Sequence, residues 1–169
     1  MGAALPSTTV VKIGPSWHTE PMVKKATTQN MPPKVKCITI HGVEHARVAC
    51  QAAFTISMKE DITLELWSAK NGACSLGSAW FSEIINIVQK EFPDLAIVGV
   101  LDCGDAVGSA LAALRQGITC IYISERPVVV SKIRAIAKYT RAEVRTKRPM
   151  MPNLMDHPDP LEILETHFS

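Results

Sequence analysis

Aromatic residues are scarce: Phe, Trp and Tyr together make up 5% of the 169 residues. Any core must therefore be aliphatic, and a 47% hydrophobic content supplies one, which excludes a disordered chain. An excess of charge of one sign is also missing. Net charge is +2 and the basic residues are scattered, so bulk charge makes no case for nucleic acid. The densest basic run, Arg141, Arg145, Lys147 and Arg148, reads as a solvated strand end. No apolar run reaches membrane-spanning length, and the first residues lack the apolar block of a signal peptide, so no membrane partner is expected. The five cysteines, Cys37, Cys50, Cys74, Cys103 and Cys120, form no CxxC pair and are odd in number. Neither a zinc ribbon nor a disulfide framework fits them, and a cytoplasmic, reducing location is expected.

What is present is alternation. Residues 1–34 are polar and dotted with proline, and read as an irregular arm. From Cys37 to His41 runs a short β-branched strand, followed by a helix over 44–57 with Val48, Ala52 and Ile56 at helical spacing. A second strand covers 62–67, and 71–77 forms a glycine-bearing loop. A second helix carries Trp80, Ile84, Ile87, Val88 and Phe92 as its apolar stripe. The unbroken apolar run 95–101 reads as a strand covered on both faces. A helix over 105–116 is stopped by Gly117, a strand covers 119–124, and Pro127 opens a helix to about residue 140. A fifth strand at 143–146, a proline-rich turn and a short docking helix at 161–167 complete the chain. The expected organisation is an arm (1–34), an α/β domain (35–148) and a C-terminal turn and helix (149–169). The domain is expected to have about five parallel strands alternating with helices, as a half-(β/α)8-barrel-like or flavodoxin-like open sheet.

Parallel sheets gather chemistry at the carboxyl ends of their strands. Those ends bring His41, then Glu65 with Ser68, then Asp102, Cys103 and Asp105, then Ser124, Glu125 and Arg126. Asp102, His41 and Glu65 are the candidate acid/base residues. Ser68, Asp105, Ser124, Glu125 and Arg126 are candidate ligand contacts, and Cys103 is the candidate metal ligand. The turn "DCGDAVGS" lacks the GxGxxG spacing of a dinucleotide site. Its two acids would repel a phosphate, so a divalent cation or a proton suits it better. Asp105 is expected to cap the following helix, and Cys103 to sit half-buried beside the turn.

"VGVLDCGDAVGSALAALRQGITCIYIS" resembles the strand–helix–strand of class II (metal-dependent) fructose-bisphosphate aldolases, in which a strand ending Leu-Asp-His-Gly leads into a helix. "GVEHARVACQAA", "ITLELWSAKNGACSLG" and "WFSEIINIVQKEFPDL" resemble that family's first helix, second strand with its loop, and second helix. The likeness covers about residues 37–146, the N-terminal half of the family's barrel. It implies that Asp102 stands at the family's catalytic aspartate and Cys103 at a zinc-ligating histidine, with Glu65 near a polar interior position of the second strand. The remaining zinc histidines and the phosphate-gripping loops belong to the later half of the barrel. Zinc or another divalent cation would thus be under-liganded, and aldolase activity by one chain is not expected.

Five strands cannot close a barrel. If all helices lie on one face, roughly 400 Å² of sheet is left bare on the other. Covering it is worth on the order of 10 kcal/mol. The termini, a second copy of the chain, or both are expected to do so. The resulting expectation is a small-molecule-binding domain, with two alternatives: an assembly or regulatory module using the sheet as scaffold, and a metal-dependent lyase completed by another subunit.

Overall fold

In a computed structural model of the chain, residues 32–156 and 160–168 are described. The first 31 residues of the expected arm lie outside them, as do His157 and Pro158. Five strands, β1 (Lys34–Ile40), β2 (Ile62–Ser68), β3 (Ala96–Asp102), β4 (Cys120–Tyr122) and β5 (Glu143–Arg145), alternate with helices. The helices are α1 (Val43–Ser57), α2 (Gly72–Ser75), α3 (Ser78–Glu91), α4 (Val107–Arg115), α5 (Pro127–Thr140) and α6 (Pro160–Phe168). Every strand pair is parallel, and the spatial order is β1-β2-β3-β4-β5. Each crossover steps the same way along the sheet, and right-handed crossovers then place the helices on one face. A flavodoxin-like sheet reverses direction after its first strand. The sheet is therefore wound like half of a (β/α)8 barrel.

Strand alternation divides the side chains between two faces. Ile38, Ile40, Leu64, Leu66, Leu101 and Ile121 point to the helix side and are buried in one continuous aliphatic core. Helix residues against them are small or branched, as Ala46, Ala49, Ala53, Ala110 and Ala113 illustrate. Close helix–sheet packing with Phe81 as the one buried aromatic of this core among the described residues follows from that choice.

Several local expectations shift. In α1 the fully buried face is Ala46, Ala49, Cys50 and Ala53, and Val48, Ala52 and Ile56 flank it half-buried. In α3 Phe81 and Ile85 take the inner positions, and Trp80 is 40% exposed. The 71–77 loop contains the single-turn helix α2. The helix expected from Asp105 begins at Val107 instead, and its N-cap is Ala106 with no side-chain cap bond. Gly117 does end α4: its φ of +84° lets Ile118 N–H reach Ala113 O and its own N–H reach Leu114 O, a Schellman closure.

The face away from the helices is not left bare. Trp67, Val100 and Cys120 are buried there beside Cys37, Val98, Tyr122 and Met151. The chain leaving β5 crosses this side. It reaches the outer edge of β1, where Thr39 N–H donates to Pro152 O at 3.0 Å and Thr39 forms a parallel bridge with Asn153. A closed barrel would put its last strand in that place. The segment 146–153 is thus a strap across the open side of the sheet. The C-terminal helix does not cover the bare face; α6 packs against α1, with Leu164 fully buried.

Candidate binding cleft at the strand ends

Asp102 is the last residue of β3 and is fully buried. Its Oδ1 accepts from the backbone N–H of Asn71 at 3.1 Å and of Gly104 at 2.9 Å. Its Oδ2 forms an ion pair with Arg148. Both oxygens are therefore held. Gly104 is required by this turn. Its φ is +55°, and a Cβ there would lie 1.9 Å from Asn71 Oδ1. Asn71, itself left-handed at φ 57°, brings the loop after β2 onto the turn after β3. Ser68, 2% exposed, adds a third tie by accepting from Asp102 N–H at 2.9 Å.

Cys103 follows Asp102 and so points to the opposite face. It is completely buried in the aliphatic core, deeper than the half-buried place expected of it. Burial, then the nearby Asp102 charge, pushes its thiol up to about 12, so it is a protonated core residue. Asp105 is exposed, and its side chain caps nothing.

Arg148 lies on the strap. Beyond its pair with Asp102 it donates to Thr39 Oγ1 at 3.3 Å and Ser68 O at 3.2 Å, and its guanidinium lies 5.3 Å from the Trp67 ring centre. Below it, Glu65 (5% exposed) accepts from Arg145 at 2.7 Å, Trp67 Nε1 at 3.0 Å and Cys37 Sγ at 3.4 Å. Two arginines from the end of the sheet thus reach across to carboxylates on β2 and β3. Burial and Glu65 push the Cys37 thiol up to about 12, and burial pushes that of Cys120 up to about 11.

At the carboxyl ends of β1 and β2 the strap leaves an open cleft of about 570 Å³. It is lined by Thr39, His41, Ala69, Lys70, Arg148, Pro149, Met150, Met151 and Asn153. His41 Nε2 lies 2.6 Å from Asn153 Oδ1. Asn153 Nδ2 donates to Asp156, so Oδ1 is the acceptor and His41 carries its proton on Nε2. The His41 and His45 rings meet in a T-shaped contact, 5.9 Å between centres.

Of the residues chosen at the strand ends, His41 lines this cleft, and Asp102 and Ser68 hold its floor through Arg148. Glu65 sits in the second ion pair. Ser124, Glu125 and Arg126 stand at the end of β4 and do not line the cleft: Ser124 N–H binds Gly104 O, and Glu125 accepts from Arg126 N–H. Sequence reasoning missed Arg148, Thr39, Lys70, Asn71 and Asn153. Arg148 and Arg145 belong to the basic run read as solvated, and no local signal marks them as partners of buried acids. Among the described residues no three His, Cys, Asp or Glu side chains gather to hold a metal, and with Cys103 turned into the core the zinc implied by the resemblance does not fit.

No family model matches the chain, and no curated protein matches it. Among the described residues no helix is long and apolar enough to cross a membrane.

Proposed function

We propose that the chain is a small-molecule-binding α/β domain, related to the N-terminal half of class II aldolases but without aldol chemistry. One observation carries this reading. Asp102, which the resemblance casts as the proton-exchanging residue, has both oxygens taken by Asn71, Gly104 and Arg148, while a cleft of about 570 Å³ opens beside it. A carboxylate so enclosed holds the strap in place, and the volume suits a small ligand. All five thiols are free, which suits a reducing cytoplasm. The test is ligand-observed NMR of the full chain against a small-molecule library, repeated on Ala69→Phe, which fills the cleft. Hits that Ala69→Phe abolishes support the reading; hits it leaves untouched, or aldol cleavage of a sugar bisphosphate, overturn it.

A second reading, a homo-oligomer using the sheet as scaffold, is favoured by α5. There Val128, Ile136 and Tyr139 are 69%, 43% and 91% exposed on the helix flanking the last strand. Light scattering decides it: a dimer that Tyr139→Asp dissociates supports it, and a monomeric parent ends it.

A further inference from the structure

The cleft floor holds donors without a matching acceptor. Thr39 is 5% exposed, and its hydroxyl oxygen accepts from Arg148. The hydroxyl proton has no acceptor among the described residues, although Thr39 lines the cleft. Lys70 reaches the same cleft and has no carboxylate partner among the described residues. Arg148 is matched one for one by Asp102. Among the described residues no carboxylate lines the cleft, so their charge balance there is one ammonium in excess. The rest of the lining is Ala69, Pro149, Met150 and Met151, with His41 and Asn153 bonded to each other.

Resting on the small-molecule reading above, we infer that the cleft takes a small aliphatic carboxylate. Its two oxygens accept from Lys70 Nζ and the Thr39 hydroxyl, and its tail lies on Met151. Three features narrow the class. A buried hydroxyl donor and a free ammonium call for an oxyanion acceptor. A single surplus positive charge balances a monoanion, whereas a phosphate dianion would be left half-neutralised. Half-buried Met151, flexible and polarisable, accommodates an alkyl chain.

The probe is hexanoate, titrated into the full chain by heteronuclear NMR and read at the amides of Thr39, Lys70 and Met151. Hexanol and inorganic phosphate are run in parallel. Hexanoate is expected to bind at least ten-fold tighter than either. Lys70→Ala is expected to weaken it three- to ten-fold and Lys70→Arg to restore it. Lys70 is exposed, so these variants fold whatever its role; Thr39→Val is the second arm and weakens hexanoate selectively. Hexanol binding as well as hexanoate, with Lys70→Ala unchanged, overturns the carboxylate assignment and leaves the binding reading standing. Phosphate binding as tightly, with the same Lys70 dependence, also overturns it. No probe or library compound shifting the cleft amides removes both.

Discussion

Arg148 closes over Asp102, joining the strap to the end of β3 across 46 positions of sequence. The two ends of the pair are not equivalent. Asp102 is fully buried, and the Arg148 side chain is 23% exposed.

That asymmetry predicts unequal costs. Arg148→Ala leaves a buried carboxylate with only two backbone donors and is expected to destabilise the fold by about 3 kcal/mol. Asp102→Asn keeps an acceptor for Asn71 and Gly104, and frees a guanidinium that can reach water; about 1–2 kcal/mol is expected. Urea unfolding of both variants measures the order. Limited proteolysis should also find the strap newly cleavable in Arg148→Ala.

Gly104 and Gly108 make a controlled pair around one turn. Gly104→Ala forces a Cβ onto Asn71 at positive φ, and a loss of about 2 kcal/mol or more is expected. Gly108, inside α4, faces open space: a Cβ at this position would meet nothing within 4 Å, and Gly108→Ala should gain about 0.5 kcal/mol. Thermal melts of the two variants should move in opposite directions.

Arg141 ends α5 in the left-handed region at φ 56°, where Ala142 N–H bonds Ala137 O. A side chain there carries a steric cost that glycine avoids. Arg141→Gly is expected to stabilise by about 1 kcal/mol, visible as a higher urea midpoint.

Acid should weaken the fold as pH falls below the ordinary histidine value of 6.5. His45 and His167 are held below their ordinary value of 6.5, both by burial first, then by His41 and by Lys36 respectively. Each is favoured neutral in the folded state, so protonation favours the unfolded chain. Their contribution is fully present above 6.5 and is lost as pH falls through that value to the folded pKa. Among the described residues the buried His45 Nδ1 has no hydrogen-bond partner, so His45→Leu removes a titrating group and no hydrogen bond seen from that nitrogen. Urea midpoints measured across this range should depend less on pH in His45→Leu than in the parent.

How far the site could be read from the chain differs residue by residue. Asp102 stands out because an acid ends an apolar strand with no helix to cap, and it does prove to be a buried hub. Asp105 misleads: an aspartate before a helical pattern predicts a cap, yet the turn closes through Asp102 and Gly104, which moves the helix start to Val107. Trp80 misleads similarly, because a period of 3.6 locates a face only to within one neighbour, and Phe81 took the inner position.

By itself the sequence determined the alternation of strands and helices, their parallel pairing and an aliphatic core. Those follow from hydrophobic spacing and turn residues a few positions apart, and such signals are local. Only the tertiary structure decided the strand order, the strap across the open face and the partners of Asp102, Glu65 and His41. Those partners lie 46, 80 and 112 positions away. A basic residue looks the same on the page whether water or a buried carboxylate will face it; the path of the chain after β5 makes that choice.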